Sequence, residues 1–232
     1  MHKKYQHLFF DLDRTLWDFE KSAAETFEEI YDKYKLQELG IKSIIHFHKV
    51  YTIHNNALWE EYRHGRIEKK VLSNLRYFLT LKDFGIENEK LAANIGKDYL
   101  EISPLKVNLF PNAISILDYL APKYALHLIT NGFSEVQETK LRVSGLGAYF
   151  QTVITSEEAG VKKPHPEIFY FALNKANADV ESSLMIGDDF KVDIGGAKNV
   201  GMDQVLFDPE RKHQQSGSTY TITDLGELKE IL

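Results

Sequence analysis

Five short apolar runs, each closed by polar residues, constrain the fold of this chain more than any other feature of it. They occupy residues 7–11, 125–129, 152–155, 183–186 and 204–207. Runs of this length that stay apolar at successive positions are expected of strands covered on both faces. Helical patterns separate the later ones: one from Ser134, one from Pro166 and one that runs to Asn199. Strand and helix in alternation predict a parallel sheet with helices packed on both sides.

The interval between the first and second runs has a different rhythm. From about Ser22 to Glu101 the pattern is helical throughout. Phe47, Tyr51, His54, Leu58 and Tyr62 recur at three- and four-residue spacing, and Val71, Leu72, Leu75, Phe78 and Leu79 form a second stripe. Leu39-Gly40, His64-Gly65 and Phe84-Gly85 supply helix stops. The expected architecture is therefore α/β: a Rossmann-like parallel-sheet core, residues 1–17 and 105–232, with an inserted α-helical cap domain, residues 18–104. Connections near residues 15–21 and 102–110 join the two, and the cap is expected to open and close over the site. The tail is expected to add a short extended segment at 220–222 and a last helix from Thr223 or Asp224.

Composition excludes several function classes. At 43% hydrophobic and 27% charged, the 232 residues can bury a sizeable core. The chain has no Cys, which removes disulfides, thiolate catalysis and Cys-ligated metals. With 28 basic against 34 acidic residues, the net charge of −6 argues against a nucleic-acid partner. Nothing approaches the ~18 uninterrupted apolar residues of a membrane span. The stretch before Asp11 is too short for a signal peptide's apolar region, so the mature chain is read as starting here. A cytoplasmic protein with no membrane partner is expected, as a monomer or homodimer.

In an open α/β sheet, ligands bind beyond the carboxyl ends of the strands. Asp11, Asp13 and Thr15 follow the first run, and Thr130 and Asn131 the second. Lys162 and Lys163 lie in the loop after the third, and Asp188, Asp189 and Asp193 after the fourth. Clustered carboxylates repel one another unless a cation sits among them. An all-oxygen donor set implies a hard cation, and Mg²⁺ fits best. A lysine and a threonine hydroxyl alongside suit phosphoryl oxygens, so the constellation predicts phosphoryl transfer on a small phosphorylated metabolite. Asp11, fixed by the strand, suits the phosphoryl acceptor; Asp13, two residues on, suits the acid/base. Asp189 has an alternative role as a helix cap. Asp193 is expected to pair with the metal or the lysine, or to be a first-turn helix acid.

These residues resemble the haloacid dehalogenase-like hydrolase superfamily. Asp11-Leu12-Asp13-Arg14-Thr15-Leu16 matches its first motif, and Thr130-Asn131-Gly132 its second. Lys163-Pro164 matches the third, and Gly187-Asp188-Asp189 with Asp193 the fourth. The helical insertion is similar to that superfamily's type-1 cap. The resemblance implies Asp11 as nucleophile, Asp13 as acid/base, and Thr130, Asn131 and Lys163 as phosphate-binding groups. It implies Mg²⁺ held by Asp11, the backbone carbonyl of Asp13, and Asp188. Arg14 departs from the pattern, since Gly is common there. Asp13 favours a phosphatase over a dehalogenase, because splitting a carbon–halogen bond needs no acid for an alkoxide.

The run Trp59-Glu60-Glu61-Tyr62-Arg63-His64-Gly65-Arg66-Ile67, with Phe133 after the second motif, is similar to the bacterial pyrimidine 5′-nucleotidase subgroup. That implies nucleoside monophosphates as substrates. The alternatives are a phosphoglycolate or sugar-phosphate phosphatase, a phosphomutase, or a phosphate-binding protein without turnover. Trp17 and Phe19 are expected at the entrance to the site, or packed between core and cap. Trp59 and Tyr62 are expected as a base platform or as cap core.

Overall fold

The computed structural model describes residues 5–213 and 217–232. These form two compact units, Glu20–Lys106 and the remaining described residues.

The second of these units is built on six parallel strands: β1 (His7–Phe10), β2 (Ala125–Thr130), β3 (Thr152–Thr155), β4 (Ser183–Gly187), β5 (Asp203–Phe207) and β6 (Tyr220–Ile222). Their order is β3-β2-β1-β4-β5-β6. The tail segment at 220–222 thus pairs in parallel with β5 as a sixth strand, where the alternation alone predicts five.

The strands are apolar at successive positions because both sheet faces are covered. Leu8 and Phe10 of β1, Leu126 and Leu128 of β2, and Leu184 and Ile186 of β4 pack in one layer with Ile116, Leu117 and Leu120 of α5 (Ala113–Leu120). Phe9, Ile129, Ile154 and Met185 pack in the other with Ile168, Phe169 and Ala172 of α8 (Pro166–Ala176) and Ala197 of α9 (Gly195–Asn199). Neighbouring residues of one strand belong to opposite layers. Helix α6 (Ser134–Ser144), the short α7 (Ser156–Ala159) and the terminal α10 (Leu228–Ile231) complete this unit. The helix running to Asn199 opens with a single π turn, Phe190–Ile194, in which the Ile194 N–H donates to the Asp189 carbonyl at 3.2 Å. A 3-10 turn, Leu225–Glu227, precedes α10 behind a capping box, with Asp224 at the cap and Glu227 reaching back to it, so the last helix begins later than the expected Thr223 or Asp224.

The chain leaves β1 for β2 on one side and later returns to β4 on the other. Asp11, Asn131 and Asp188 are therefore brought to one edge of the sheet by topology.

The helical unit comprises α1 (Phe19–Lys33), α2 (Ile44–Arg63), α3 (Lys69–Asp83) and α4 (Glu89–Ile102). The first residue of α1, Phe19, belongs to the sheet unit. Ser43 and Asn88 cap α2 and α4 by accepting from the His46 and Leu91 N–H groups. Gly40, Gly65 and Gly85 all take positive φ at the predicted stops. Phe47, Tyr51, Leu58 and Tyr62 are buried along α2 as their spacing predicts. The predicted stripe of α3 is turned: Leu72, Arg76, Tyr77, Thr80 and Leu81 are buried, whereas Val71 is exposed and Leu75, Phe78 and Leu79 are half-buried. The cause is Arg76, which lies over the rings of Tyr77 at 4.9 Å, Tyr99 at 5.5 Å and Tyr51 at 5.9 Å and so brings a charged residue into the core. No helix of the described residues is long and apolar enough to cross a membrane.

Candidate active site

Asp11 follows β1 directly. Its N–H donates to the Ile186 carbonyl of β4 at 2.9 Å, so the sheet ladder fixes its backbone. Its carboxylate meets the buried Lys163, whose Nζ lies 2.6 Å from Asp11 Oδ1. The same ammonium reaches the Ile129 carbonyl at 2.7 Å and Asp193 Oδ1 at 2.7 Å. The three donors of Lys163 thus tie β1, β2 and the π turn after β4 together. Asp193 is held from its other oxygen by the Asp189 N–H at 3.1 Å. It pairs with the lysine, one of the roles its position allowed.

Lys163 is placed by Asn131. The Asn131 Nδ2 donates to the Lys163 carbonyl at 2.9 Å, and its Oδ1 accepts from the Lys163 N–H at 2.8 Å. The side chain expected to meet phosphate is therefore occupied in gripping the third motif. Thr130 is buried at the end of β2, where its hydroxyl oxygen accepts from the Gly132 N–H at 3.0 Å. The fully buried Thr15 hydroxyl faces Asp188 Oδ1 at 3.3 Å and Asp11 Oδ2 at 3.5 Å, bridging the first and fourth motifs. Asp189 caps the π turn, accepting from the Lys191 and Val192 N–H groups.

Asp13 turns elsewhere. Lys140 and Gln137 of α6 take its two carboxylate oxygens, the Gln137 amide at 2.7 Å. Sequence reasoning missed both residues: polar side chains three apart on a helix read as a solvated face, and no local motif marks them.

The aromatic candidates divide. Trp17 is fully buried in the apolar layer beside Leu16 and Leu109, so it packs and does not line an entrance. Phe19 is partly buried against that layer, with the Arg14 guanidinium 4.5 Å above its ring. Tyr62 is buried within the helical unit, and half-buried Trp59 meets it edge to face at 5.6 Å.

Asp11, Asp188 and Asp193 each offer an oxygen within 4.8 Å of the others. Burial, then Asp193 and Asp11, push Asp188 well above the usual carboxylate range. Burial, only partly offset by Lys163 and reinforced by Asp193, pushes Asp11 up to about 7. For Asp13, Lys140 and Gln137 outweigh burial and hold the carboxyl below its ordinary value. Burial works against the Lys163 charge, but Asp11 and Asp193 outweigh it and raise that group. Acids that penalise one another's ionisation, with only oxygen donors, fit a hard divalent cation.

The fold is that of a hydrolase of the α/β class, and comparison with known proteins gives the family. The model of the haloacid dehalogenase-like hydrolases matches residues 8–207. Pyrimidine 5'-nucleotidase YjjG of Escherichia coli (strain K12) is 31% identical over 99% of this chain and 98% of its own. Pyrimidine 5'-nucleotidase PynA of Streptococcus pneumoniae (strain ATCC BAA-255 / R6) is 31% identical over 98% and 95%. The crystal structure of the HAD-hydrolase YfnB from Bacillus subtilis bound to magnesium superposes with a TM-score of 0.89, at 28% identity and 99% coverage of both chains. The chain belongs to the haloacid dehalogenase-like hydrolase family.

Proposed function

We propose that the protein is a Mg²⁺-dependent phosphomonoesterase that works through a phosphorylated Asp11 and takes pyrimidine nucleoside monophosphates. The observation that carries the chemistry is Asp11 itself. It is a strand-end carboxylate held at 2.6 Å by a buried lysine, with Asp188 and Asp193 beside it. The names of the two curated relatives support the substrate class.

In the first transfer an Asp11 oxygen attacks phosphorus, the P–O ester bond breaks, and the leaving oxygen takes a proton from Asp13. Asp13 must first be protonated from solvent, against the hold of Lys140 and Gln137. In the second, water attacks phosphorus, gives its proton to Asp13, and the P–O bond to Asp11 breaks to restore the carboxylate. Lys163 and the Thr130 hydroxyl stabilise charge on the phosphoryl oxygens. With its carboxamide engaged on Lys163, Asn131 contributes its backbone N–H. Asp11, Asp188 and the Asp13 carbonyl would hold Mg²⁺, which when bound offsets the repulsion between carboxylate and phosphate.

The test is phosphate release from pyrimidine and purine monophosphates, sugar phosphates, phosphoglycolate and p-nitrophenyl phosphate, in Mg²⁺ and in EDTA. Turnover is expected in Mg²⁺ alone, with pyrimidine monophosphates preferred and Asp11→Asn at background. Full activity in Asp11→Asn would overturn the mechanism. Preference for a sugar phosphate or phosphoglycolate would overturn the substrate assignment only.

A further inference from the structure

Helix α6 buries only three residues, Gln137, Lys140 and Leu141, and two of them are long and polar. Both point at one carboxylate. Gln137 Nε2 donates to Asp13 Oδ2 at 2.7 Å, and Lys140 Nζ pairs with Asp13 Oδ1 while only 4% exposed. The spacing of three puts them on one helix face. The Lys140 ammonium also lies 5.1 Å from the Trp17 ring centroid and 5.8 Å from that of Phe19, so aromatic faces confine it.

Two further features show that the arrangement is built around Asp13. A Cβ at Gly132 would fall 1.6 Å from Gln137 Nε2, so the glycine of the second motif makes room for this amide. Gln137 Oε1 is buried without a hydrogen-bond partner among the described residues. The amide therefore sits where it does for its contact with Asp13. Burying a lysine and a half-satisfied amide is unfavourable for folding alone.

We propose that Lys140 and Gln137 are positioning residues for the reaction: they fix the orientation of the Asp13 carboxyl so that it serves the leaving oxygen and then the attacking water. This rests on the aspartyl-phosphate reading above. It adds a fifth sequence position to the site, Gln137-x-x-Lys140, one turn after Thr130-Asn131-Gly132.

Pre-steady-state kinetics separate a positioning role from a purely structural one. With p-nitrophenyl phosphate the leaving group needs no proton, so the first transfer bypasses Asp13, whereas the attack of water does not. In Lys140→Met the burst of p-nitrophenolate should stay within about threefold of wild type, while the steady-state kcat falls roughly 10–100-fold and KM falls with it, leaving kcat/KM unchanged. With an alkyl phosphate the first transfer itself should slow by a similar factor. Lys140→Arg, which keeps the charge, should recover part of the loss. If Lys140→Met does not fold, as judged by circular dichroism, Gln137→Met is measured in the same way. Equal loss of burst and steady state, or no loss in either, overturns the positioning role. Absence of a burst in the wild type, with activity kept in Asp11→Asn, overturns the underlying mechanism instead.

Discussion

Gly187 lacks a side chain because Asp193 occupies the space one would need. A Cβ there would lie 2.4 Å from Asp193 Oδ2 and 2.5 Å from its Cγ. Asp193 is poorly able to retreat, since Lys163 and the Asp189 N–H hold its two oxygens. Gly187→Ala should therefore dislodge Asp193 from Lys163. The expected cost is about 1–3 kcal/mol in urea unfolding, the usual penalty of overpacking, together with a fall in phosphate release. An unchanged unfolding midpoint would refute this. Arg14 is the opposite case. It adopts φ +66°, which explains why Gly is common there. The left-handed conformation costs about 1–2 kcal/mol, and the guanidinium over Phe19 offsets part of that. At this scale, the legible residues were those fixed by a strand end: Asp11, Thr130 and Asp188 follow runs whose ends are marked in the sequence. Gln137 and Lys140 were not legible, because only the folded chain shows which face of α6 is buried.

Among the elements, α3 departs furthest from its pattern, and Arg76 explains why. Its guanidinium faces three tyrosine rings and donates to Asn55 Oδ1 at 2.9 Å, with no carboxylate partner among the described residues. Burial works against the charge, and Tyr51, Tyr77 and Tyr99 outweigh it. Planarity and weak hydration suit a guanidinium to this site, while an ammonium is compact and strongly hydrated. Arg76→Lys should thus destabilise the helical unit by roughly 1–3 kcal/mol, and Arg76→Met should cost less, although it discards the charge. Chemical denaturation of the two variants decides, and the reverse order would refute the argument. Hydrophobic periodicity assigns charge outward by default. It therefore placed α2 on its buried face and misplaced α3, where an aromatic cage rewards a buried cation. The sixth strand escaped the alternation for a different reason: three residues, with Thr221 exposed, carry too little pattern.

At the scale of the whole molecule, two pH-dependent contributions of opposite sign stand at opposite ends of one sheet. At the amino ends of the strands, His127 is buried between His7 and Phe9, with ring centroids at 5.3 Å and 4.7 Å. Its nitrogens contact His7 Nδ1 at 3.1 Å and Thr152 Oγ1 at 2.8 Å. Burial, then the neighbouring His7, lowers its pKa from 6.5 to about 4. The unfolded chain binds this proton more readily, so stability is lost as pH falls from about 6.5 towards 4. At the carboxyl ends, Asp11 and Asp188 are raised. There the folded state holds protons more tightly. That stability is present at low pH and lost as pH rises through the carboxylate range towards about 7. A divalent cation binds the ionised acids and reverses only this second contribution. Thermal unfolding in EDTA and in Mg²⁺ should then give curves that coincide near pH 4–5 and diverge upward, with the Mg²⁺ gain largest above about pH 7. His127→Phe should flatten the acid limb in both media, whereas Asp188→Asn should abolish the divergence. A Mg²⁺ gain independent of pH would show that the cation does not sit among these acids.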